Sequence, residues 1–241
     1  MLFRSMDTKL INRLKRNVSL LTVGNPKIIK GTARGYATAG LSLAPAWESG
    51  YNTCANHSTE CSAACLFFAG RGAMKKIKEA RIARTRMFFE EREAFLHLFH
   101  SDIYQFVANA RSLDLEPVIR PNVLSDIRWE KYGVPQRWPM IGFYDYTKLP
   151  NRKGLPANYK LTFSFSGNNL TDCGKALANG MNVAVPFLGA LPETWLGYPV
   201  IDGDADDLRF LDPTPCIVGL KAKGLLRKSP QSAFLGDNHN V

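Results

Sequence analysis

The sequence predicts an α/β fold, a partial (β/α) barrel with mostly parallel strands, and three observations carry that expectation. Short strand-like segments recur between residues 38 and 224. Helical stretches or long loops separate them, which is the pattern of parallel strands joined by right-handed crossovers. Six or seven such strands in 241 residues suit an open or incomplete barrel rather than a closed one. The expected layout is an irregular N-terminal arm over 1–30, a single barrel domain over 31–224 and a mobile tail over 225–241.

The elements follow in order. The arm carries one short helix. "TAGLSLAPA" (38–46) is the first strand, closed by Pro45. Residues 73–111 are helical, because Ile77, Ala80, Met87, Phe95, Phe99 and Ile103 recur at helical spacing. That length suits two helices, with a break between Phe89 and Asp102 and Ser101 as an N-cap. "EPVIRPNVLSD" (116–126) and "MIGFYDYTK" (140–148) read as strands. "YKLTFSFSG" (159–167) alternates Leu161, Phe163 and Phe165 against Thr162, Ser164 and Ser166. "LTDCGKALANG" (170–180) reads as a short helix ending at Gly180. "NVAVPF" (182–187), "YPVIDGD" (198–204) and "CIVGLKAKG" (216–224) complete the strands.

Composition narrows the class. Hydrophobic residues make up 45% and charged residues 22%, the balance of a globular protein. No run of eighteen apolar residues exists, so no membrane span is expected. The start has no signal-peptide pattern, so the expected compartment is the cytoplasm. The formal net charge of +10 favours polyanionic partners, nucleic acid first. Much of it falls on "KKIKEARIARTR" (75–86), where Lys75, Lys76, Lys78, Arg81 and Arg84 could meet phosphates or simply form a solvated helix face.

The five cysteines are unevenly placed. Cys173 and Cys216 stand alone and read as small buried hydrophobes. Cys54, Cys61 and Cys65 crowd one loop, "NTCANHSTECSAACLFFAGRG" (52–72), at spacing C-x6-C-x3-C with His57 between the first two. In a reducing compartment such a group is more often a metal or redox site than a staple. Three thiolates can hold three irons of a [4Fe–4S] cluster and leave the fourth open. Cys54, Cys61 and Cys65 with His57 as fourth ligand also make a permissible zinc set, and buried thiols without metal are the third reading. His97 and His100 lie one helical turn apart without an acidic partner and read as packing or surface residues. "DGDADD" (202–207) has an EF-hand flavour but lacks the glutamate at the twelfth loop position.

In parallel α/β sheets the site lies at the carboxyl ends of the strands. The cysteine loop follows the first strand, Asp126 the second, Lys148 the third, and Ser164, Ser166 and Asn168 the fourth. These residues are therefore expected to converge and to line a pocket for a cofactor, a small molecule or a nucleotide.

The blocks "CANHSTECSAACLFFAGRG", "ARIARTRMFF", "IRPNVLSDIRWE", "FYDYTK", "LPANYKLTFSFS" and "FLDPTPCIVGLKAKG" together resemble the phage gene-product-88 family, over about residues 26–224. The resemblance implies a phage origin and hence the host cytoplasm. More loosely, the layout is similar to radical S-adenosylmethionine enzymes, which place a three-cysteine loop after the first strand of a partial barrel. That likeness implies an open iron binding S-adenosylmethionine. The sequence departs from the usual C-x3-C-x2-C spacing and has Leu124-Ser125-Asp126 where a Gly-Gly-Glu is expected. Two functions remain open at this level. One is a cluster-dependent enzyme on a nucleotide or nucleic-acid substrate; the other is a non-enzymatic nucleic-acid-binding protein with a structural zinc or cluster.

Overall fold

The computed structural model describes residues 2–25, 27–150 and 152–239. The chain opens with helix α1 (Leu2–Leu14) and a two-residue strand β1 (Leu21–Thr22). A 3-10 helix at Ile28–Arg34 leads into β2 (Tyr36–Leu41), and the cysteine loop follows with the short helix α2 (Thr59–Ala63). Helices α3 (Lys75–Glu90) and α4 (Arg92–Arg111) precede β3 (Glu116–Arg120). A short helix α5 (Val134–Arg137) stands before β4 (Gly142–Thr147), and β5 (Tyr159–Ser164) follows. Then come α6 (Leu170–Ala178), β6 (Val183–Phe187), β7 (Thr194–Trp195), β8 (Tyr198–Asp202) and β9 (Ile217–Lys221).

The strands form one nine-stranded sheet in the order β1-β2-β3-β4-β5-β6-β9-β8-β7. Every pair from β2 through β8 is parallel, and only the edge strands β1 and β7 run antiparallel to their neighbours. This is the expected α/β class. The exchange of β8 and β9 has no signal in the sequence. It arises because β8 enters from a tight hairpin with β7, whose turn residues Leu196 and Gly197 both take positive φ (50° and 76°).

Strand alternation sorts the two faces. Ala37, Ala39, Leu41, Ile119, Phe143 and Tyr159 pack under Phe88 of α3 and Phe95, Phe99, Ile103 and Phe106 of α4. Phe163, Phe165, Val183, Val185 and Phe187 meet Cys173 and Leu177 of α6. The other face is more polar. It carries buried Thr38, Thr162 and Ser164, together with Tyr146, Ala184 and Val218.

That second face lies within a curl. Residues just before β2 touch residues just after β8, which stands at the far side of the sheet. Lys30 Nζ donates to the Asp204 carbonyl at 2.6 Å, Arg34 pairs with Asp206 at 2.7 Å and Lys27 with Asp207 at 3.3 Å. The rings of Tyr36 and Phe210 sit 5.3 Å apart edge to face. The "DGDADD" aspartates thus pair with lysine and arginine across the open side of the sheet and draw it into a partial barrel.

Several expected boundaries shift. The helical stretch breaks at Glu91, inside the expected window, whereas Ser101 lies within α4 rather than capping it. The segment from 225, expected from its composition to be mobile, is anchored over its described part. Leu226 and Leu235 are buried against Ala222, Ala64 and Phe234. Gly236 lies so close to Phe187 and Val185 that a Cβ there would stand 2.5 Å and 2.6 Å from them. Gly167 takes φ +91°, and a Cβ there would stand 3.0 Å from the Ala233 backbone. Among the described residues no helix is long and apolar enough to cross a membrane.

Candidate functional site

The cysteine loop is built onto the strand ends by backbone groups. Thr53 begins it: its hydroxyl donates to the Ala44 carbonyl at 2.6 Å and its own carbonyl accepts from Asp126 N–H at 2.8 Å. Ser58 caps α2 by accepting from Cys61 N–H at 3.0 Å, and its hydroxyl donates to the Ser166 carbonyl at 2.6 Å. Asn56 Nδ2 donates to the Lys148 carbonyl at 3.2 Å. The loop after β2 is therefore tied to the segments that follow β3, β4 and β5, the convergence expected of parallel strands.

Each cysteine takes a distinct place on this frame. The Cys54 thiol donates to the Leu124 carbonyl at 3.4 Å. Cys61 lies in α2, within electrostatic reach of the Lys148 side chain. Cys65 directly follows Ala64, which caps the end of α2. Burial raises the Cys54 thiol, partly offset by hydrogen bonds from Ala46 and Thr53. Burial pushes the Cys65 thiol up to about 11, and the nearby Cys61 and Cys54 push the same way. Cys61 and Cys54 thus lie within electrostatic reach of Cys65. Cys173 and Cys216 are fully buried elsewhere, as expected of small hydrophobes.

Two cations attend the thiols. Burial acts to lower Lys148, yet Cys61, Asp126 and Cys54 around it raise it overall. Asp126 fixes that lysine's backbone, accepting from Lys148 N–H at 2.7 Å and Thr147 Oγ1 at 2.8 Å. Asp126 itself is raised by burial and lowered by these partners and by Arg152, with the net shift upward. The second cation is Arg81 of α3. It turns inward over the Phe67 ring at 5.8 Å and lies within electrostatic reach of Cys65. Its Nη1 is buried without a hydrogen-bond partner.

The remaining expected residues divide. Ser164 is buried at the end of β5 and its carbonyl accepts from Asn169 Nδ2 at 3.0 Å. Ser166 Oγ donates to Asn168 Oδ1 at 2.9 Å, so that pair closes a turn beside the loop. His57 Nδ1 bonds the Cys54 carbonyl at 2.5 Å. No group of three or more His, Cys, Asp or Glu side chains among the described residues forms a ligand set for a single metal ion.

The five side chains of the basic stretch do not share one open face. Lys78 Nζ lies over Phe68 at 4.7 Å, Arg81 turns to the cysteines and Arg84 Nη2 donates to the Ser19 carbonyl at 3.4 Å. Lys75 and Lys76 are exposed, and Lys75 stands 3.9 Å from Glu79. The phenylalanines of the loop after Cys65 supply the apolar surface that draws the longer side chains back.

Composition hid two further groups. Arg152, its side chain wholly buried, bridges Glu130 at 2.5 Å and Asp126 at 3.6 Å, and so ties the site to Trp129–Tyr132. Asp145 accepts from Asn122 N–H at 2.8 Å, Asn122 Nδ2 at 2.7 Å and Tyr159 OH at 2.7 Å. Its position at the end of a strand was the only sequence signal. Burial raises its carboxyl to about 7 against those hydrogen bonds.

A family model described as Gene product 88 matches residues 19–237. No curated protein and no solved structure matches the chain.

Proposed function

The chain belongs to the Gene product 88 family of phage proteins, and from its gathered thiols we propose that it is an iron–sulfur protein acting as an enzyme in the host cytoplasm. The observation that carries this reading is the gathering of Cys54, Cys61 and Cys65 on one loop that hydrogen bonds tie to the segments after β3, β4 and β5. Buried thiols are poor anions on their own, and metal binding makes their deprotonation favourable. Thiolates on separate irons stand farther apart than donors around one ion. Three thiols on one loop match in number the protein ligands of a [4Fe–4S] cluster with an open iron, and zinc with His57 is the second reading.

When bound, the cluster would supply one-electron chemistry and an open iron for a chelating ligand such as S-adenosylmethionine. The chain's residues have separable tasks. Cys54, Cys61 and Cys65 hold the irons. Lys148 and Arg81 balance the negative charge from two sides. Asp126 holds Lys148 in position, and Ser58 with the Ser166 carbonyl fixes α2. The substrate would be a small molecule or nucleotide reaching the strand-end rim.

Anaerobic reconstitution with iron and sulfide tests this. Brown protein with about four irons per chain is expected. Cys54→Ala, Cys61→Ala and Cys65→Ala should each lose the iron, while Cys173→Ala and Cys216→Ala keep it. A changed paramagnetic resonance signal on adding S-adenosylmethionine would mark the open iron. Colourless protein holding stoichiometric zinc, or full iron in the three loop variants, would overturn the reading.

A further inference from the structure

A cavity of about 320 Å³ opens where the 3-10 helix before β2 meets the ends of β8 and β9. Its lining is Lys27, Lys30, Lys221, Lys223 and Asp204. We propose that this cavity is a binding site for the phosphate group of a phosphorylated small molecule, and it is independent of whether the cysteines hold a cluster.

The argument begins with charge. Four lysines and one aspartate line the cavity. That carboxylate is already committed. Asp204 Oδ2 accepts from Lys221 N–H at 2.9 Å and Oδ1 pairs with Lys223 Nζ at 2.6 Å. Lys30 Nζ reaches only the Asp204 carbonyl, at 2.6 Å. Lys27 Nζ lies 3.3 Å from Asp207, but Arg120 Nη1 at 2.8 Å and Tyr144 OH at 2.9 Å engage the same carboxylate. The Lys221 ammonium has no hydrogen-bond or ion-pair partner among the described residues. Even crediting both aspartates to the lysines leaves two positive charges unmatched. A phosphate monoester carries about −1.5 to −2 at pH 7 and supplies that balance.

The setting adds to this. Lys27 is driven down by burial, and Arg120 and Arg209 act in the same direction against Asp207. An anion in the cavity would relieve that repulsion. Lysines bind phosphate as point charges without a fixed fork geometry, which suits four ammoniums arriving from two separate chain segments. The volume falls at the lower end of small-molecule sites.

Isothermal titration at low salt with pyrophosphate, adenosine 5′-monophosphate and adenosine tests the proposal. Pyrophosphate and the monophosphate should bind, adenosine should not, and added salt should weaken both. Similar affinities for the two phosphates would assign the site to phosphate alone, and tighter monophosphate binding would assign it to a nucleotide. Lys221→Ala should weaken binding at least fivefold, and Lys30→Ala with Lys221→Ala should remove it, with the melting temperature of Lys221→Ala unchanged. Lys75→Ala with Lys76→Ala should bind like the parent. No heat from either phosphate, or equal affinity in the parent and the Lys30/Lys221 variant, would overturn the proposal.

Discussion

At the scale of residues, burial decides which groups carry charge. Cys65 is a thiol at neutral pH because its sulfur is partly withdrawn from water and lies within electrostatic reach of Cys61 and Cys54. In metal-free protein its alkylation rate should rise with a midpoint near pH 11, read by mass spectrometry on the peptide that contains it. A midpoint below 8 would mean that Lys148 and Arg81 outweigh burial. Asp145 obeys the same physics with a different outcome. Its folded carboxyl sits at about 7, above the ordinary carboxylate value, so between roughly pH 4 and 7 the native state binds more protons than the unfolded chain. Stability from this group is fully present below pH 4 and declines as pH rises towards 7. Asp145→Asn should flatten that decline in urea titrations across the range, and an unchanged slope would show that another group causes it.

At the scale of elements, one carboxylate organises the N-terminal arm. Asp102 of α4 is 2% exposed and accepts from the N–H groups of Ser19, Leu20 and Leu21 at 2.5 to 3.1 Å. Those three donors lead into β1, which would otherwise leave its amides in a dry environment. Asp102→Ala should cost about 3 kcal/mol in urea unfolding and raise hydrogen exchange at residues 19–22, since each stranded donor costs about 1–3 kcal/mol. The same element shows why the helix break could be placed only to a window. The charged run Glu90-Glu91-Arg92-Glu93 interrupts the apolar spacing but does not fix the break to one residue. The bend appears because Phe88 and Phe95 both pack on Trp129, at 5.2 and 6.4 Å between ring centroids.

At the scale of the whole molecule, the chain's two ends hold the barrel shut. Residues 27–34 bridge to the aspartates after β8, and residues 224–239 lie against β6 and the cysteine loop. Trp195 Nε1 donates to the Gly236 carbonyl at 3.1 Å, so the tail has an optical reporter. Gly236→Ala should lift the tail, redden tryptophan emission and open residues 224–239 to proteolysis. Leu235→Ala, by deleting a fully buried side chain, should cost about 2–4 kcal/mol. An unchanged emission spectrum in Gly236→Ala would show that the backbone accommodates the methyl group.

The sequence by itself determined what depends on period and spacing. Alternation in 159–165 marked β5, and helical recurrence marked α3 and α4. The order of strand and helix implied parallel strands, and parallel strands put the cysteine loop, Asp126, Lys148 and Ser166 on one rim. These are local or topological facts, and they survive folding because each residue's neighbours along the chain already impose them. Only the tertiary structure decided where long side chains end. Lys78, Arg81 and Arg84 look like a solvated stripe until Phe67, Phe68 and Cys65 are placed beside the first two and the Ser19 carbonyl beside the third. Lys27, Lys30, Lys221 and Lys223 are nearly 200 residues apart at the extremes and become one cavity only when the sheet curls. The tail's polar composition suggested freedom, yet Leu226 and Leu235 suffice to anchor it. Charge pairing and burial act through space at a few ångströms, and the chain's linear order carries no record of which distant segments will come that close.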